Sequence, residues 1–241
     1  MKASRLWQLV GLVLLAVALA YGLREIANGI RARDARDVVT VTGSAKRSIS
    51  SDYVIWDSSV AAQDASPAVA AGKLARATAT IRAFLRASGV HSDELVVAPI
   101  STETILSSST IDSNRVIGYN LTRSFEVRSS RLDVIVAAAE ATSKLVGQGI
   151  PFAAQPPQFI YTKLPDLRPA LSAEATKDAI NRAKTVVEMT GNKLGRLRSI
   201  DVGPFQVTAP GSTQNSDYGA YDTSTRKKDV TSVVNVTFSV K

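Results

Sequence analysis

The chain is 241 residues long, 45% hydrophobic and 21% charged, with a net charge of +8, one histidine and no cysteine. Those counts remove disulfide frameworks, thiolate metal centres, cysteine nucleophiles and multi-imidazole zinc sites before any pattern is read. The basic excess is not a nucleic-acid signature: residues 1–36 carry half of it, and the interleaving of aromatic with basic residues that single-strand binders use is missing.

Residues 6–23, LWQLVGLVLLAVALAYGL, are uncharged. As a helix they cover about 27 Å and nearly span a bilayer core. Leu6, Leu14, Leu15 and Leu23 belong to the apolar body, and Trp7 and Tyr21 lie near its ends, where an interfacial aromatic belt would put them. Lys2, Arg5 and the Ala18-Leu19-Ala20 triplet also fit a secretory signal cleaved after Ala20. The run exceeds the usual signal core of about 7–15 residues. Cleavage would also leave bulky Tyr21 at the start of the mature chain. The expectation is therefore an uncleaved anchor with a basic juxtamembrane helix over 1–36 and a folded domain over 37–241. Charge does not orient it, because Arg24, Arg31, Arg33 and Arg36 follow the span while Lys2 and Arg5 precede it.

Period-2 alternation predicts strands at 38–42 and 53–60, with SISSD as the turn of a first hairpin and Gly43 easing a bulge or close packing. Ser66-Pro67 then starts a helix that runs to about Ser88, with Ala70, Leu74, Ala77, Ile81, Phe84 and Leu85 on one face and Gly89 as its stop. Lys73, Arg76, Arg82 and Arg86 lie off that face with no acid between Asp64 and Asp93. They read either as a solvated helix surface or as a contact for an anionic ligand.

Strands are expected at 95–106 and 116–128 around a polar hairpin loop, followed by a helix over 131–146 and a short strand in PQFIYTKL. Pro165 and Pro169 bracket the entry to a third helix whose buried stripe is Ala175, Thr176, Ala179, Ile180, Ala183, Val186, Val187 and Thr190, ending at Gly191. Strands near 197–207 and 230–240 enclose a polar loop over 208–229, far longer than the median loop of about 4–6 residues. Tyr218 and Tyr221 make that loop a candidate assembly surface. Helix, glycine, strand, loop and strand thus occur twice, at 67–128 and 169–240. The fold class is α+β: an N-terminal transmembrane helix, then a mixed, largely antiparallel β-sheet domain backed by helices, in the order ββαββαβαββ.

Chemistry is hard to find. His91 stands in a helix-to-strand turn and cannot be tied to a serine nucleophile, and no phosphate-binding glycine loop or calcium loop is present. Asp52, Asp57 and Asp64 lie on or beside one strand, but nothing announces the sugar cleft that a carboxylate pair would serve. No catalytic residue, metal site or cofactor is expected, and the chain is read as a non-enzyme.

Four stretches in order carry a family resemblance: VTVTGSAKRSISSD, FLRASGVHSDELVVAPIST, VIGYNLTRSFEVR and AINRAKTVVEMTGNKLGRLRSI. Together they resemble the SIMPL-domain family of bacterial exported or envelope-anchored proteins over about 38–241. The resemblance implies export, which would place the folded domain in the periplasm on a single-pass inner-membrane anchor. The alternative is a soluble periplasmic protein released by signal cleavage. It implies no catalytic residues, and roles from envelope-stress tolerance to homo-oligomeric assembly. The expectation is a self-assembling envelope protein whose partners are the membrane and further copies of itself. The alternative function is a binding module for an anionic envelope ligand through Lys73, Arg76, Arg82 and Arg86.

Overall fold

A computed structural model describes residues 18–25, 37–108, 114–213 and 216–241. Most of the anchor expectation, including Leu6, Trp7, Leu14 and Leu15, lies outside those residues. Residues 18–25 are helical and exposed, with Tyr21 and Leu23 among them. No helix among the described residues is long and apolar enough to cross a membrane.

The elements in chain order are β1 (Val38–Ser50), β2 (Tyr53–Asp64), α1 (Pro67–Ala87), β3 (Leu95–Val97), β4 (Ser101–Leu106), β5 (Val116–Ser129), α2 (Leu132–Glu140), α3 (Ser143–Gly147), β6 (Phe152–Ala154), β7 (Gln158–Ile160), α4 (Leu164–Met189), β8 (Leu194–Val202), β9 (Gln206–Thr208), β10 (Ala220–Tyr221) and β11 (Lys227–Val240). The α+β class and the mixed sheets expected from the sequence are present. The described residues form two compact units, one from those within 1–46, 168–205 and 231–241, the other from those within 47–167 and 206–230.

The second unit carries a six-stranded sheet in the order β3-β5-β2-β6, with β4 also on β5 and β7 also on β2. β2 and β5 are antiparallel, with Trp56 opposite Val127 and Ser58 opposite Phe125. Alternation sends Val54, Trp56 and Val60 to one face, where they meet Leu74, Ile81 and Leu85 of α1 and Ile135 of α2. Trp56 lies edge-on to Phe152 and donates its indole N–H to the Gln155 carbonyl at 3.0 Å, so its one polar atom is satisfied.

The first unit is built from β1, β8, β11 and the body of α4. β1 pairs with β11, and side-chain bonds between Thr40 and Thr237 and between Thr42 and Asn235 show the strands running in opposite directions. α4 lies on this sheet through a strict four-residue stripe: Leu171, Ala175, Ala179, Ala183 and Val187 are buried. Val186 is 49% exposed and Thr190 is also exposed, contrary to the wider stripe expected, because the helix meets the sheet mainly along one i, i+4 row, with Ile180 packed partly buried beside it. Gly43 explains the narrowness. A Cβ there would stand 2.3 Å from both the Ala175 carbonyl oxygen and the Ala179 nitrogen.

The expected first hairpin does not form. β1 and β2 belong to different sheets: the Ser51 N–H donates to the Arg226 carbonyl at 2.8 Å and the Asp52 N–H to the Ile160 carbonyl at 3.1 Å, so the turn redirects the chain between sheets. Other expected elements are split. The 95–106 strand breaks around Pro99 into β3 and β4, and the 197–207 strand breaks around Pro204 into β8 and β9, since proline has no N–H to donate to a ladder. The helix over 131–146 is interrupted after Glu140, and an unexpected strand, β6, joins β2.

The splits sharpen the internal repeat. Each copy is a strand, a helix stopped by a positive-φ glycine (Gly89 or Gly191), a proline-broken strand pair and a 14-residue strand that pairs with the first. One copy is β2-α1-β3/β4-β5. In the other, β1 is separated from α4-β8/β9-β11 by the whole first copy, so one repeat is inserted within the other.

Candidate functional site

Three side-chain assemblies and one open strand edge stand out. The first ties down the long loop. Alternation along β11 carries Lys228 inward in step with Val230, Ser232 and Val234, and its side chain is fully buried. Its ammonium donates to the Thr225 carbonyl at 2.5 Å and to Asp222 Oδ2 at 3.3 Å. Asp222 also accepts from the Ser224 N–H at 2.9 Å and its hydroxyl at 2.6 Å, and from the N–H and hydroxyl of Thr225. Burial works to raise the Asp222 pKa, but the donors from Ser224, Thr225 and Lys228 outweigh it and hold the carboxyl well below the usual range. Such a carboxylate is a structural anchor. Tyr221 is enlisted too, its hydroxyl accepting from the Tyr161 N–H at 2.9 Å, whereas Tyr218 is 98% exposed. Both tyrosines expected at a contact surface are exposed, Tyr218 fully and Tyr221 at 42% with its hydroxyl held.

The second assembly pins the turn after α1. Glu94 accepts from the Ser129 hydroxyl at 2.6 Å, from Arg131 Nε at 3.0 Å, from Arg131 Nη2, and from the His91 N–H at 2.9 Å. The Arg131 guanidinium, then burial opposing it, then the Ser129 and His91 donors set the balance, and the Glu94 pKa falls from 4.5 to about 2. Arg131 reaches further, to the Gly89 carbonyl at 2.9 Å.

The third concerns the cations of α1. All four are exposed, but they do not form one patch. Lys73 is ion-paired to Asp64 at 2.8 Å and lies with Arg76 along an open groove of about 460 Å³ beside Ile150 and Pro151. Arg82 and Arg86 face a separate cleft of about 210 Å³ that also holds His91 and Ser92. The helical rotation of 100° per residue puts the two pairs on different sides of the helix. Sequence reading found the four cations and the histidine but not their grouping, because periodicity gives a side of a helix and not what lies across from it.

The three aspartates considered as a carboxylate pair do not converge. Asp52 accepts from the Thr162 N–H and hydroxyl, both at 2.8 Å, while Asp64 is held by Lys73 and the Ser66 N–H. These two cap opposite ends of a strand about 40 Å long. Asp57 stands across the ladder from Glu126, which is paired with Arg128. No cluster of three or more His, Asp or Glu side chains able to hold a metal ion occurs among the described residues.

The open edge belongs to β8. Among the described residues it pairs with β11 alone, with Leu197 opposite Phe238, Ile200 opposite Val236 and Val202 opposite Val234. Those β11 residues are buried under α4, yet Leu197 is 54%, Ile200 48% and Val202 48% exposed, so the apolar face of the sheet runs on past the helix. β1, at the other side of β11, is partly guarded: the Ser44 N–H is taken by Asp178 of α4 at 2.9 Å.

No curated protein matches the chain. Among solved structures, the de novo designed protein Foldit4 is similar over 45% of this chain and 98% of its own, at 10% identity and a TM-score of 0.27. A hydantoinase/carbamoylase family amidase from Burkholderia ambifaria is similar over 44% of this chain and 28% of its own, at 15% identity and a TM-score of 0.25. An amidase of the same family from Burkholderia phymatum gives 55% and 34%, at 13% identity and 0.26. This chain therefore spans about a third or less of either amidase, and likeness at that level carries no argument. The family model for SIMPL, described as "Protein of unknown function (DUF541)", matches residues 39–238 with the ordered strands and helices just described, and the chain belongs to that family.

Proposed function

We propose that this protein is a non-enzymatic, membrane-tethered envelope component whose folded part builds a homo-oligomer through strand edges. The observation that carries the reading is β8: an edge with no second strand beside it among the described residues, and with Leu197, Ile200 and Val202 half exposed. An unpaired edge is a template for another strand, and a flanking apolar strip adds burial to backbone pairing. The natural occupant is a second copy of the same chain, because identical copies meet at the highest local concentration on a shared membrane. Tyr218 offers an additional contact. The uncharged run at 6–23 supports the tether, and the family resemblance supports a periplasmic location.

Light scattering of the full chain in detergent micelles tests the assembly. A mass of several protomers that Ile200→Lys reduces to one protomer is the expected result. A wild-type protein that is monomeric at every concentration overturns it. Tyr218→Ser separates the loop from the edge: an unchanged size assigns assembly to β8 alone. Intact-mass spectrometry of the membrane fraction tests the tether, since loss of residues 1–20 would leave the domain soluble.

A further inference from the structure

We propose that the cleft at the end of α1 lined by Arg82, Arg86, His91 and Ser92 binds a phosphoryl oxyanion, borne either by a small soluble phosphate or by a lipid headgroup. The argument begins with what is not neutralised. Lys73, the cation nearest the start of α1, is matched by Asp64, but no hydrogen bond or ion pair engages the guanidinium of Arg82 or Arg86 among the described residues. They stand at i and i+4, on one side of the helix, over a floor of Leu85, Val90, Leu95 and Val97.

Two acids are close in sequence, Asp93 and Glu94, and neither lines the cleft. Glu94 is turned to Arg131 and Ser129 instead, and in doing so it holds the His91 N–H and fixes the turn that presents the imidazole. A helix C-terminus would ordinarily repel an anion through its free carbonyls. Here three of the last four helix carbonyls are occupied, and so is that of Gly89 just beyond them. Phe84 accepts from the Ser88 N–H at 2.8 Å, Leu85 from Val90 at 3.0 Å, Arg86 from Gly89 at 3.0 Å, and Gly89 from Arg131 at 2.9 Å.

The donor count selects the ligand. Two guanidinium forks, an imidazole and a hydroxyl offer more N–H and O–H groups than the two oxygens of a carboxylate accept, whereas a tetrahedral phosphoryl group presents three charged oxygens in different directions. A volume of about 210 Å³ leaves ample room for such a group. This site is independent of the β8 edge and stands whether or not the protein oligomerises.

The test uses the full chain in detergent micelles and, separately, in phosphatidylcholine vesicles with and without phosphatidic acid. Equilibrium dialysis against inorganic phosphate and flotation with the vesicles are the two readouts. Saturable phosphate binding in micelles, weakened by added salt, supports a soluble ligand. Binding that requires phosphatidic acid supports a headgroup. In either case Arg82→Gln with Arg86→Gln should lower affinity by about tenfold or more, and His91→Gln by less, as expected for lost charge-assisted hydrogen bonds. Lys73→Gln with Arg76→Gln should leave it unchanged. Thermal unfolding of the arginine double variant should match wild type, since both side chains are exposed. No saturable binding to either probe overturns the proposal, and so does an equal loss in the Lys73/Arg76 variant.

Discussion

The two repeats are sealed in opposite ways. In the second unit α1 packs on β2 and β5 through large side chains, with Trp56, Phe125, Leu74, Ile81 and Leu85 almost wholly buried. In the first unit α4 packs on β1 and β11 through Ala175, Ala179 and Ala183, with Gly43 beneath them. One topology thus tolerates a bulky filling or a close approach of backbones. The difference teaches where each is vulnerable: the first kind fails when volume is removed, the second when it is added.

Variants should divide along that line. Trp56→Ala should cost the most, about 3–5 kcal/mol, measured as a shift in the urea unfolding curve, because it opens a cavity and strands the Gln155 carbonyl. Asp222→Ala should approach that loss, about 3–5 kcal/mol, since it leaves Lys228 buried without its counter-charge. Lys228→Met in the same background should recover part of it.

Gly43→Ala should cost about 1–3 kcal/mol from a single added methyl, the mirror image of the tryptophan result. An unchanged midpoint would mean that α4 lifts freely from its sheet and would break the comparison. A pH series sharpens the account of the second unit. With the Glu94 pKa lowered from 4.5 to about 2, its stabilisation is complete above pH 4.5 and lost as pH falls towards 2. Glu94→Gln should flatten that acid limb while lowering stability at neutral pH. Ser66→Ala should have the smallest effect, within about 0.5 kcal/mol, because this N-cap serine makes no side-chain bond to α1.

Much of the fold was legible in local pattern. Pro67 and Gly89 mark α1 closely, Gly191 stops α4, and the alternation of β2 and β11 names their buried faces. What misled was adjacency. Two alternating strands joined by SISSD look like a hairpin, yet the backbone donors of Ser51 and Asp52 go to Arg226 and Ile160, more than 100 residues away. The candidate site followed the same rule. Arg82, Arg86 and His91 were each visible as exposed polar residues, but their shared cleft depends on β3 lying across from the helix end. Lys228 was within reach of the alternation that starts at Val230, had it been carried one step back. A charge run such as RKKD argues for solvent unless its partner is known.

By itself the sequence determined the central row of inward-facing residues on α1, α4, β2 and β11, where proline and glycine interrupt the elements, and that thiol and multi-imidazole chemistry is absent. Periodicity, the fixed φ of proline and composition act within one turn or one strand, so they need no partner. Tertiary structure alone decided which strands pair, which cations stay unmatched and which edge stays open. Those outcomes depend on hydrogen bonds and charges brought together across long separations, and nothing in a local stretch specifies the other half of such a contact.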